Sequence, residues 1–217
     1  MTSLEGTTAD LRKREEQARA LQAQIDEITR SAHDDRSKSD KNVDELRKRL
    51  DELRAARTAS EKRAAVYRSV ALKLKAQVDA GDIQVIVRDG RMVVILPNDV
   101  LFDTGRTEIK RPGQETLKAI AGVLRSETER HFQVAGHTDN VPIRTDRFPT
   151  NWELSTGRAL RVMHFLKEQG VPAAALSAAG YADVDPVGPN DTPEGRKQNR
   201  RTEITLQPDI TDLVPLP

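Results

Sequence analysis

The sequence predicts an α+β fold, a two-layer sandwich with helices on one face of a sheet, preceded by a long helical coiled-coil segment. Three observations carry this. Residues 10–80 contain no proline and are dominated by Ala, Leu, Arg, Lys, Glu and Gln, which are strong helix formers. After residue 82, short apolar alternations typical of strands interleave with amphipathic helical stretches. Six of the seven aromatic residues lie after residue 80, Tyr67 being the exception, so the side chains with most area to bury sit in the second part.

The helical segment spans residues 1–80. Leu11, Ala18, Leu21, Ile25, Ile28 and Ala32 fit the a and d places of one heptad frame. Val43, Leu46, Leu50, Leu53, Ala64, Tyr67, Ala71, Leu74 and Val78 fit a second frame, with Arg57 and Ser60 as polar members. Such a seam predicts a coiled coil, because a polar helix is marginal without a packed face. The second frame is offset by four residues, the size of a stutter. Residues 33–42, between the frames, are polar all round. They form either a stutter in one helix of roughly 105 Å or the bend of a hairpin about half as long. The segment serves equally well as a spacer or as a homodimerisation handle.

The compact domain is expected over residues 81–207. Ile83, Val85 and Val87 alternate, as do Val93 and Ile95, and Asp89-Gly90 between them is a strong hairpin signal. Pro97-Asn98 ends the second strand. A helix follows from about Pro112 to Ser126, with Leu117, Ile120, Ala121 and Leu124 on one face. Residues 131–136 read as a strand. Thr150 and Glu153 then have capping-box spacing, with Ser155 as the alternative cap, ahead of a helix that carries Leu154, Ala159, Val162, Met163 and Leu166 and stops at Gly170. A strand over 176–181, a short helix from Thr192-Pro193 to Asn199 and a last strand with Thr202, Ile204 and Leu206 complete the domain. Residues 208–217 are expected to be a loose tail.

Composition narrows the function. Residues 1–80 hold 18 Lys/Arg against 15 Asp/Glu, and residues 81–217 hold 17 against 19, so neither part has the charge of a nucleic-acid binder. The absence of cysteine excludes disulfides and thiolate metal sites. His131 and His137 lack zinc-ligand spacing, and no cofactor motif is present. No apolar run approaches the ~20 residues of a membrane span, and the first residues lack the pattern of a secretory signal.

The chemistry concentrates at Gly136-His137-Thr138-Asp139-Asn140, where a strand ends at an acid, and at Leu154-Ser155-Thr156-Gly157-Arg158-Ala159, where a helix carries an arginine in its first turns. Taken singly, Asp139 reads as a turn cap and Arg158 as a surface cation. Together they suit a zwitterion, with an ammonium for the carboxylate and a planar carboxylate for the guanidinium. These stretches, with Asn199-Arg200-Arg201, resemble the OmpA/MotB-like peptidoglycan-binding domain, whose motifs run Gly-His-Thr-Asp, Leu-Ser-x-x-Arg-Ala and Asn-Arg-Arg. The resemblance covers residues 83–207.

The resemblance implies an OmpA-like β/α sandwich that binds the diaminopimelate of the peptidoglycan stem peptide through Asp139 and Arg158. Thr138, Asn140 and the turn with Asp103 and Thr104 would line the same cleft, and Asn199-Arg200-Arg201 would border it. It further implies a periplasmic or cell-envelope location, a membrane anchor outside this chain, and a non-enzymatic role with no cofactor. The long loop from Asn140 to Thr150 is similar to the flagellar-motor MotB type, so the soluble part of a motor stator is the second reading. A cell-wall hydrolase using Asp139 and Glu153 is the third. Two departures from the family pattern stand out: Ala182 replaces a common glycine, and Thr202 replaces an apolar residue.

Overall fold

The computed structural model describes residues 2–127 and 130–207, so the tail expected from 208 lies outside the described residues. The elements are helix α1 (Thr2–Lys73), the single-turn α2 (Lys75–Asp79), strands β1 (Gln84–Arg88) and β2 (Arg91–Pro97), α3 (Asn98–Leu101), α4 (Arg111–Leu124), β3 (His131–His137), α5 (Asn151–Glu168), β4 (Leu176–Ala182), α6 (Pro193–Asn199) and β5 (Arg201–Gln207). The architecture is α+β, as the sequence predicts.

The chain divides into two units, Met1–Glu61 and Lys62–Pro217. In the first, α1 is helical throughout residues 33–42, with no hairpin bend. Its exposed surface carries local pairs such as Arg57–Glu61 at 2.8 Å. The heptad residues Leu21, Ile25, Ile28, Leu46, Leu50 and Leu53 are exposed.

The second unit starts earlier than the boundary expected at residue 81. Val70 and Leu74 are fully buried in its core, and Val66 and Tyr67 pack against it. The end of α1 is part of the domain because burial of its apolar residues outweighs its propensity to continue as a free helix. A kink at Leu74 and a left-handed Gly81 then turn the chain into β1.

The sheet has the order β1-β2-β5-β3-β4. All neighbouring pairs are antiparallel except β3 and β4. The β1–β2 hairpin turns through Asp89 and Gly90, both at positive φ (52° and 71°), as an Asp-Gly turn of this length requires. One row of side chains, Val85, Val94, Ile204, Val134 and Ala178, crosses all five strands by direct pairing. This row faces the layer of α4 and α5, where Leu117, Ile120, Leu124, Val162 and Leu166 close the core.

Gly136 lets α5 cross β3 closely, since a Cβ there would lie 2.1 Å from the Ser155 carbonyl oxygen. The β3–β4 register shifts after this point: Gly136 pairs with Gly180, but His137 pairs with Ala182. Ala182 takes up the shift at φ 49°, a conformation that favours the glycine it replaces.

Candidate functional site

The C-terminal end of β3 and the start of α5 meet above the α3–α4 turn, forming a cleft of about 450 Å³. The capping box sets the direction of α5: Thr150 Oγ1 accepts from the Trp152 N–H, and Glu153 accepts from the Thr150 N–H. Asn151, the first helical residue, donates its side-chain amide to the carbonyls of Asp139 (3.3 Å) and Val141 (3.1 Å). The helix start thus pins the loop that carries the acid.

Asp139 is buried, at 7% exposure. Its Oδ1 accepts from the Val141 N–H at 3.1 Å, and its Oδ2 accepts from Arg200 Nη1 at 2.6 Å. Thr138 is held by its N–H to the Ala182 carbonyl at 2.8 Å. Arg158 is also buried. Its Nε donates to the Arg106 carbonyl (3.0 Å) and its Nη2 to the Asp103 carbonyl (3.2 Å), and its guanidinium lies 5.1 Å over the Phe102 ring. Burial, then the nearby Arg200 charge, pushes the Arg158 guanidinium down to about 10, with Asp139 acting the other way, so it remains a cation at neutral pH.

Of the residues expected at the site, Asp139, Arg158, Thr138, Asp103 and Thr104 line one cleft. Among the described residues no ion pair joins Asp139 to Arg158, so the two groups are positioned separately. Asp103 contributes its backbone carbonyl, while its side chain is exposed. Asn140 does not line the cleft: it is exposed, and its N–H is 3.4 Å from Asn190 Oδ1. It faces the loop before α6, where that Asn190 sits.

Arg200, Arg196, Asn98 and Asn151 line the cleft but were not singled out as ligand-binding positions from the sequence. The Asn199-Arg200-Arg201 motif was the available signal. Its three side chains diverge. Asn199 is fully buried and holds the loop at Val187, Gly188 and Asn190. Arg200 reaches Asp139, and Arg201 passes to the opposite sheet face, where it pairs with Glu203 at 2.7 Å and Asp185 at 3.2 Å. The Thr202 departure is explained by its buried hydroxyl, which donates to Asn98 Oδ1 at 2.9 Å, while Asn98 Nδ2 donates to the His137 carbonyl at 3.2 Å.

His137 points to that opposite face, stacked on Tyr181 with ring centroids 5.0 Å apart. Its two nitrogens lie 3.7 Å from Asp185 and 3.8 Å from Glu203 and make no hydrogen bond. Burial, reinforced by the Arg201 charge, pushes the imidazole down to about 4. Burial acts to raise Glu203, but its bonds to Arg201 and Arg88 hold it below the usual carboxylate range. His137, Asp185 and Glu203 are the one described trio with metal-ligand geometry. However, Arg88 and Arg201 already supply two positive charges to their carboxylates, so the group is a charge-balanced ion-pair cluster.

No helix among the described residues is long and apolar enough to cross a membrane. Residues 101–200 match the OmpA family. The chain is 42% identical over 136 residues to "Uncharacterized protein YtxE" of Bacillus subtilis, covering 62% of this chain and 53% of that protein. It is 36% identical over 118 residues to Motility protein B of the same organism, covering 54% and 45%. It thus spans about half the length of the curated relatives it matches. The cell wall anchor of the T6SS from Pseudomonas aeruginosa superposes with a TM-score of 0.60 at 36% identity, covering 64% of this chain and 97% of that one.

Proposed function

We propose, from the premise that this chain belongs to the OmpA family, that it is a non-enzymatic anchor that grips peptidoglycan without covalent change and ties an envelope assembly to the cell wall. The domain over residues 81–207 carries the binding, at the diaminopimelate of the stem peptide, and its place is the periplasm or cell envelope. One observation carries the reading: a cleft of amino-acid size brings a buried carboxylate, Asp139, together with a buried guanidinium, Arg158, that is not its ion-pair partner. Arg158, bonded among the described residues only to backbone carbonyls, keeps its charge for a ligand carboxylate, and Asp139, whose partner Arg200 is partly exposed, can exchange that partner for a ligand ammonium. The similarity to a cell wall anchor supports the same reading.

The soluble part of a motor stator is the second reading. Its support is the likeness to Motility protein B together with the long loop between Asn140 and Thr150. Hydrolysis is disfavoured by the chemistry of its two candidate acids. Asp139 is engaged by Arg200. Glu153 is committed to the helix cap and held below the usual carboxylate range, chiefly by the Thr150 hydroxyl, whereas a general acid needs a raised pKa.

Co-sedimentation of the full chain with purified sacculi tests the proposal. Asp139→Ala and Arg158→Lys should each weaken binding strongly, because removing one partner of a desolvated charge contact costs about 2–5 kcal/mol and lysine lacks the planar fork. Circular dichroism serves as the folding control. Wild-type binding by both folded variants would remove the site, and release of soluble fragments from the sacculi would replace the anchor with a hydrolase.

A further inference from the structure

We infer that Arg200 is a resident occupant of the ammonium subsite and sets the specificity of the cleft: it must be displaced from Asp139 by a ligand ammonium, and its freed guanidinium then takes the ligand's carboxylate. This rests on reading the cleft as a zwitterion site. The Asp139 carboxylate has little open surface, since Val141 N–H holds Oδ1 and Arg200 holds Oδ2. With the Asp139 side chain only 10% exposed, a ligand cation competes with Arg200 for Oδ2.

Among the cleft arginines, Arg200 is the one suited to move. Arg158 is tethered to the carbonyls of Arg106 and Asp103, and Arg196 to the carbonyl of Asn190 at 2.8 Å. The described side-chain bond of Arg200 is to Asp139, and its side chain is 43% exposed. Its backbone is fixed, with the N–H on the Arg196 carbonyl at 3.0 Å and its own carbonyl accepting from the Asn98 N–H at 2.9 Å. The head group can swing while the chain holds still. Arg158 and Arg200 both line the cleft, so the two cations flank a common space where a carboxylate is favoured.

The consequence is selectivity by exchange. A zwitterion breaks one ion pair and restores it with its own carboxylate. A simple amine breaks the same pair and returns nothing, so the cleft rejects it.

Calorimetry on the full chain with two probes tests this: diaminopimelate, and cadaverine, which has the same two ammonium groups on the same five-carbon spacing but no carboxylate. Arg200→Gln should bind cadaverine more tightly than wild type and lower the diaminopimelate-to-cadaverine affinity ratio by about tenfold or more. Arg200→Lys, which keeps a cation beside Asp139, should hold the ratio near the wild-type value. An unchanged ratio in Arg200→Gln, or cadaverine binding detectable in neither protein, overturns the inference while the cleft reading stands if Asp139→Ala still abolishes diaminopimelate binding. Failure of wild type to bind either diaminopimelate or sacculi removes the cleft reading and this inference with it.

Discussion

At the scale of single residues, the strain and burial around His137 and Ala182 have measurable consequences. His137 is 1% exposed and its imidazole titrates near 4, against 6.5 for an ordinary histidine. Between these two values the unfolded chain binds a proton that the folded chain does not, so stability rises with pH across this window and is lost as pH falls from about 6.5 to 4. The loss should amount to about 3 kcal/mol. Urea unfolding at several pH values should show it in wild type and not in His137→Gln. Ala182 sits at φ 49° in the register shift between β3 and β4. Ala182→Gly should stabilise the fold by up to about 1 kcal/mol, as relief of the left-handed strain exceeds the entropy lost by glycine. A lower unfolding midpoint for this variant would show that the alanine methyl group contributes more than its strain costs.

At the scale of elements, the last turns of α1 belong to the domain they precede. Val70 and Leu74 are as deeply buried as the residues of the sheet itself. The Tyr67 hydroxyl donates to the Gly90 carbonyl in the hairpin turn at 2.9 Å. A fragment of residues 81–217 lacks all three contacts, whereas a fragment of residues 62–217 keeps them. Burial of a valine and a leucine contributes about 3–5 kcal/mol together. The longer fragment should therefore unfold at a clearly higher denaturant concentration. Equal midpoints would mean that the end of α1 packs on the domain without stabilising it.

At the scale of the whole molecule, the open question is what covers the apolar seam of the first unit. Leu46, Leu50 and Leu53 are 62%, 48% and 70% exposed along a helix with no bend at residues 33–42. A continuous helix has no second arm of its own, so a second copy of the chain is the expected partner. Leu50→Glu would place a charge in that seam and should shift the protein toward monomer in analytical ultracentrifugation, leaving binding by each separate cleft nearly unchanged. A wild type that stays monomeric at high concentration would refute the pairing. Two clefts on one dimer would raise retention on a polymeric wall through effective concentration.

Features set by local geometry were legible in the sequence. Asp89-Gly90 specified its hairpin because few other residue pairs tolerate two successive positive φ angles. Thr150 and Glu153 specified the start of α5 because a capping box closes within four residues. Their motifs place Asp139 at a strand end and Arg158 in the first turns of a helix, where the structure has them. The tertiary structure alone decided what those charges face. Arg200 meets Asp139 across 61 residues of chain, Arg158 is held by carbonyls 52 and 55 residues away, and Thr202 bonds Asn98 across 104. The physical reason is the sheet order: β5, the last strand, inserts between β2 and β3, carrying the residues around Asn199 to the end of β3. Neither propensity nor periodicity encodes that insertion, because it is selected by burial of the row running through Val94, Ile204 and Val134.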